Sequence, residues 1–245
     1  MRNMWFIAKK EFKSYFGSPV AYVVCFVILL TLGFIFWYGI NYAVQTQQYV
    51  PNVQETFQLY VFPLLFLAAP AITMRTMAEE HRMGTLEILL TSPIKDWELI
   101  VGKWFGSFLF FTCVTGITII YPLILNSIVQ PGIDQGIILT SYLGLFLMIA
   151  SMCSLGVLIS SIFNNQIAAL FASIGLLLLF WIINYPAQSM VGTGADVLNY
   201  LSLPNHFYNT FLNGIIDLQD VIFYLSLTAL GLFLGTVSID VRRWR

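Results

Sequence analysis

The sequence predicts an all-α, polytopic membrane protein with six transmembrane helices, an N-terminal interfacial helix and a cytoplasmic helical hairpin. Three observations carry that prediction. First, 58% of the 245 residues are hydrophobic and only 9% charged, against about 25% charged in a soluble domain. Second, charge-free runs recur at the length of a bilayer crossing. Third, all eleven lysines and arginines fall in three segments. A surface this poor in charge needs lipid as its main solvent, and the net charge of -1 conceals an asymmetry along the chain that sets orientation.

Residues 1–16 are too polar to cross. At about 100° per residue, Met4, Trp5, Ala8, Phe12, Tyr15 and Phe16 share one face, with Arg2, Lys9 and Lys13 on another. That is the pattern of a helix lying in the interface, aromatic side chains at the acyl boundary and lysines among anionic headgroups. The candidate membrane-interface residues are Trp5, Lys9, Phe12, Lys13, Tyr15 and Phe16, and an orientation anchor with no further role is the alternative.

A crossing helix needs about 20 apolar residues, because in hydrocarbon every backbone N–H and C=O must be bonded internally. No charge occurs between Lys13 and Glu55, and residues 20–43 make the first helix, with Pro51 and Asn52 in the loop beyond it. The apolar run is longer than the ~7–15 residues of a signal-peptide core, so it is expected to stay as an anchor. Further runs occupy residues 57–74 and 104–125. The charge-free stretch 135–195 is long enough for two helices, 136–163 and 167–185, divided at Asn164, Asn165 and Gln166. A sixth spans 221–239. Pro63, Pro70 and Pro122 are tolerated as kinks. Four crossings with a buried re-entrant pair is the competing count.

Orientation follows from the basic residues. Arg2, Lys9, Lys10 and Lys13 precede the first helix. Arg75, Arg82, Lys95 and Lys103 join the second and third, and Arg242, Arg243 and Arg245 follow the sixth, while the alternate loops hold Glu55, Asp134, Asp196, Asp217 and Asp220. Both termini are therefore expected in the cytoplasm, and parity requires an even number of crossings.

The segment 75–103 is the one charge-dense stretch. Gly84 is placed to end the extension of the second helix, Thr85 to cap a short apolar helix with Glu87 in its first turn, Ser92 and Pro93 to stop it, and Asp96 with Glu98 to open the third span. An apolar helix flanked by charge suits docking of a soluble partner; a solvated connector is the alternative. On the other side, 186–219 is apolar for a wet loop and carries Phe207, Tyr208 and Phe211, so it is expected either to fold into the outer leaflet or to cap the interface.

The chemistry that is missing narrows the function. There is no GxxxxGK[ST], GxSxG or HExxH, and no carboxylate, lysine or histidine within the six spans. Coupled carriers and intramembrane hydrolases usually place such groups near the midplane. His81 and His206 fall outside the spans and read as structural or solvated. Cys25, Cys113 and Cys153 lie in apolar runs without CxxC spacing and read as packing residues. Ser107, Thr112, Thr115, Thr118, Ser151, Ser154, Ser160 and Ser161, with Gly102, Gly106, Gly144 and Gly156, suit close helix contacts. No cofactor, metal or catalytic residue is expected.

The run Ala78-Glu79-Glu80-His81-Arg82-Met83-Gly84-Thr85-Leu86-Glu87-Ile88-Leu89-Leu90-Thr91-Ser92-Pro93 resembles the coupling-helix segment of ABC-2 type permeases, which commonly show an EExxxGTLExLLxxP-like run. The start, Lys10-Glu11-Phe12 followed by Tyr15-Phe16-Gly17-Ser18-Pro19-Val20-Ala21-Tyr22, and the end Arg242-Arg243-Trp244-Arg245, look closest to the gliding-motility-associated branch. The resemblance implies a single transmembrane domain over 1–245, with 1–16 a membrane-surface helix, 75–103 the coupling segment and 186–219 an extracytoplasmic loop. It implies a permease subunit in a bacterial cytoplasmic membrane, exporting a substrate with ATP hydrolysed by a separate ATP-binding cassette subunit. Its partners would be that ATPase, a second permease copy or related membrane subunit, and the bilayer, with no nucleic acid. The implied ATPase contacts are Glu79, Glu80, Arg82, Gly84, Thr85, Leu86, Glu87 and Leu90. A non-transporting anchor that recruits a cytoplasmic protein, and an uncoupled channel, stay open beside it.

Overall fold

The structure, a computed structural model, describes residues 2–46, 53–61, 66–85, 94–130, 132–187 and 192–243. Pro51, Asn52, Pro63 and the expected short helix from Leu86 through Glu87 and Leu90 to Pro93 lie outside the described residues, as do Trp244 and Arg245. Every regular element among the described residues is helical: α1 Arg2–Phe16, α2 Pro19–Thr46, α3 Val53–Leu59, α4 Phe66–Thr73, α5 Arg75–Arg82, α6 Asp96–Ile117, α7 Ile120–Ile128, α8 Gln135–Ile162, α9 Gln166–Ile182, α10 Asn184–Ala187, α11 Thr193–Leu201, α12 Leu203–Tyr208, a 3-10 turn Phe211–Asn213, and α13 Leu218–Arg243.

Local chemistry sets the boundaries. Asp134 caps α8 by accepting from the Gly136 N–H at 2.8 Å, and Asn165 caps α9 by accepting from Ile167 N–H at 2.9 Å. The long charge-free run is thus cut where its three amide side chains stand. Glu98 accepts the Lys95 N–H at 3.4 Å, closing the first turn of α6. Gly84, with φ +68°, sits just past the end of α5 in a left-handed conformation that side-chain-bearing residues rarely adopt, which is the terminator role the sequence assigns it.

Among the described residues, five helical stretches are long and apolar enough to cross a membrane: Pro19–Thr46, Asp96–Ile128, Gln135–Ile162, Gln166–Ala187 and Leu218–Arg242. The second expected span, 57–74, departs from a single uninterrupted helix. It comprises α3, a wider π turn at Tyr60 and Val61, and α4, with residues 62–65 outside the described set. The chain still traverses the bundle there. Gln54 donates to the Leu212 carbonyl at one end (2.6 Å), and Arg75 donates to Ser18 at the other (2.9 Å). These stretches leave α1, α5, Asn164 and Arg242 at one end, the basic end. Asn126, Asp134, His206 and Asp220 lie at the other, the acidic end.

The core is organised around α8, whose most apolar stretch is 72% buried, against 17% for α2. Contact is close because small residues permit it. A Cβ on Gly144 would lie 2.6 Å from the Phe211 Cβ, one on Gly156 would lie 2.8 Å from the Thr73 Cβ, and Gly102 and Gly106 admit α1 in the same way. All four glycines singled out from sequence therefore stand at helix crossings.

One expectation needs correction. Tyr15 faces a neighbouring helix and not lipid: it is 5% exposed, its hydroxyl 2.8 Å from Ser107, because α1 lies along the first half of α6 and buries Ala8 and Tyr15 there. Trp5 and Phe16 stay exposed on the outer side with Lys9 and Lys13, and Phe12 is half-buried between the two sides. Of the aromatic cluster in 186–219, Phe207 and Phe211 pack into the core and Tyr208 is half-buried. Phe207 and Phe211 are fully buried beside Gly144, since their rings fill the space that the glycine leaves.

Candidate functional site

At the basic end α5 continues the direction of α4, and Met74 N–H donates to Pro70 O at 2.8 Å. The first N–H groups of a helix lack partners of their own. Here Ser160 of α8 supplies one: its Oγ accepts from Met77 N–H (3.0 Å) and Ala78 N–H (3.1 Å) and donates to Met74 O (3.0 Å). A single hydroxyl, with its donor and both acceptor positions used, fastens α5 to α8. Thr76, Met77 and Ala78 are buried in that contact.

One turn beyond Thr76, Glu80 enters a buried charge cluster. Lys103 of α6, 3% exposed, places Nζ 2.8 Å from Glu80 Oε1 and 3.4 Å from Glu11 Oε2 of α1, and donates also to Thr76 O. One ammonium thus joins three helices. Burial pushes the Glu80 carboxyl above its ordinary range, with the Lys103 charge pulling the other way. The cluster has net charge minus one, and Glu80 Oε2 is buried without a hydrogen-bond partner.

A second tie joins α13 to the same end. The Arg242 guanidinium donates to Asn164 Oδ1 (2.8 Å), to the Ile162 carbonyl, and to His81 Nε2 (2.5 Å). Burial, then the Arg242 charge, lowers the His81 pKa and keeps the neutral, accepting ring. The Asn164 turn therefore stands beside α5 and the end of α13, the side on which an even count of crossings requires it.

Of the residues expected to meet an ATPase, Arg82 and Gly84 are exposed, and Glu79 and Thr85 are half-buried. Glu80 differs from that expectation, because it is turned inward onto Lys103. Leu86, Glu87 and Leu90 lie outside the described residues. Sequence reasoning missed Glu11, Lys103 and Arg242 as structural ties. The available signal was Lys103 standing between Gly102 and Gly106, a pair that marks the close approach of another helix beside it.

At the acidic end His206 lies between two oxygens, with Nδ1 2.5 Å from Asp220 Oδ1 and Nε2 2.6 Å from Tyr200 O, its ring stacked on Phe223 at 4.0 Å. It pins α12 to the start of α13 and is structural rather than solvated. No cluster of metal-ligating side chains occurs among the described residues.

A charged end fastened to apolar, membrane-length helices defines an all-α polytopic membrane protein. The match is specific: the model of the ABC-2 family transporter proteins covers residues 5–238, and the chain belongs to that family. It is accordingly a multi-pass permease subunit of an ABC transporter, a family whose members work with ATP-binding cassette ATPases. No curated protein matches the chain significantly.

Proposed function

We propose that this permease subunit couples ATP hydrolysis by a separate cassette ATPase to export of a substrate, with the basic end in the cytoplasm and the turn Arg82-Met83-Gly84 as the described part of the ATPase-docking surface. The observation that carries the reading is the fastening of α5. Arg82, Met83 and Gly84 are exposed at its end, while its body is bonded to α8 through Ser160 and to α1 and α6 through Lys103. A push on the turn therefore reaches the spanning helices, and the cassettes would shift the population between two arrangements of the bundle. Glu79, Thr85, Leu86, Glu87 and Leu90 complete the proposed contact, and Trp5, Lys9, Phe12, Lys13 and Phe16 hold α1 at the membrane surface. The likeness of residues 10–22 and 242–245 to the gliding-motility-associated branch supports a heteromer with a second membrane subunit as the finer assignment.

The test is purification of the tagged chain in mild detergent from its native host, identification of what accompanies it, and an ATPase assay. A stoichiometric cassette ATPase, reduced by Arg82→Glu with insertion unchanged, supports the reading. Absence of any ATPase under several gentle conditions overturns it, and an ATPase that binds with activity indifferent to the permease points to a recruiting anchor.

A further inference from the structure

The Lys103 ammonium has two carboxylates, but Arg75 has none among the described residues. Its Nη1 donates to the neutral Ser18 Oγ at 2.9 Å, and its Nε is buried without an acceptor. Guanidinium stays charged at any physiological pH, so a half-buried one calls for an anion. What lies beside it is apolar. Leu67, Ala71 and Arg75 follow at intervals of four on the continuous line of α4 and α5, and so share one face. Facing them on α2 are Val23 and Val27, rising from the Ser18 contact. Between the two helices is a cavity of about 170 Å³ lined by aliphatic side chains, and its rim residues Val23, Val27 and Leu67 are about half exposed.

We propose that this groove seats one anionic phospholipid of the leaflet at the basic end, with an acyl chain along Val23, Val27, Leu67 and Ala71 and its phosphate on the Arg75 guanidinium. Charge and shape select that occupant together. The cation needs a phosphate or carboxylate, which planar guanidinium binds in a paired fashion, and the groove above it needs a hydrocarbon chain. A soluble partner's acidic side chain would satisfy the first and leave the second empty. The exposed Lys9 and Lys13, on the helix that leads into Ser18, keep the approach positive. This rests only on the chain being in a membrane and not on the ATPase reading.

The experiment is native mass spectrometry of the purified full-length chain, delipidated and then titrated with phosphatidylglycerol or phosphatidylcholine of identical chains. Expected is one phosphatidylglycerol retained more strongly than phosphatidylcholine. Arg75→Gln should weaken it about tenfold, the factor one charge-assisted hydrogen bond is worth. Ala71→Phe, which fills the groove and leaves the charge in place, should weaken it comparably, and Lys95→Gln, at an exposed lysine outside the groove, should leave it unchanged. Helix content and a monodisperse elution profile confirm that each variant is folded. Equal retention of both lipids, no loss in Ala71→Phe, or displacement by millimolar inorganic phosphate alone would each overturn the proposal, as would Arg75 cross-linking to a second copy of the chain in place of lipid.

Discussion

Replacing Lys103 with Met removes the one positive charge from a buried site and leaves two carboxylates behind. The Nζ stands 2.8 Å from Glu80 and 3.4 Å from Glu11 with the side chain 3% exposed. At an effective dielectric of about 20 those attractions are roughly 6 and 5 kcal/mol, from which repulsion between the two carboxylates and the desolvation of three ions must be subtracted. Loss of one partner from such a cluster typically costs about 3–5 kcal/mol, and that is the expected destabilisation. Glu80→Gln should cost less, about 1–2 kcal/mol, because the amide oxygen still accepts from Lys103, which keeps Glu11. The assay is unfolding in lipid nanodiscs, with Lys95→Met as an exposed control. The deficit should also depend on pH. Burial already raises the Glu80 pKa, and without the ammonium it rises further, so the native variant binds more protons than its unfolded chain. Its stability then falls as pH rises through that folded pKa, and part of the deficit returns on acidification from pH 8 toward 5.5. A Lys103→Met variant no less stable than Lys95→Met would refute the account of the cluster.

Two further outcomes follow from geometry already described. Gly106→Val places a Cβ 2.7 Å from the Glu11 Cβ and 3.1 Å from the Ala8 carbonyl; since backbone cannot swing aside, α1 should lift from α6 at a cost of about 1–3 kcal/mol, read as faster proteolysis of the first sixteen residues, and unchanged cleavage would contradict the close packing. His81 has a pKa lowered from its ordinary 6.5, so the native state binds fewer protons than the unfolded one below that value, and its contribution is present above pH 6.5 and lost on acidification. Wild type should lose stability relative to His81→Asn between pH 7 and 5, and parallel curves would count against the Arg242 contact.

The crossings were legible because membrane insertion leaves its mark on single residues: a charge ends a run and an amide divides one, as at Asn164 and Asn165. In the second traverse the widening of the helix to a π turn at Tyr60 and Val61 was not legible, since it changes no residue's polarity. The partners of the charged ties were not legible. Lys103 stands at the edge of an apolar run, where a lysine reads as a boundary facing water. Its burial depends on Glu11 and Glu80, each contributed by a different helix. Tyr15 was assigned to lipid because a wide aromatic arc on α1 does not reveal that half of it is claimed by α6, although Gly102 and Gly106 four residues apart hinted at a partner helix. His206 and Asp220 are joined by a fold-back that no local pattern encodes.

The burial of α8 has a mechanical corollary. Helices α4, α5, α6, α9, α12 and α13 all lean on it, whereas α2 is held chiefly by α1, α3 and α4. Any rearrangement must treat α8 as a mast about which the rest is rigged. At Gly156 Thr73 fits against bare backbone, and one turn further on Ser160 holds the first turn of α5, so α4 and α5 are keyed to α8 and would move with it as one piece. The least fastened of the long helices is α2, and it would be the first part of the wall to yield sideways into the bilayer.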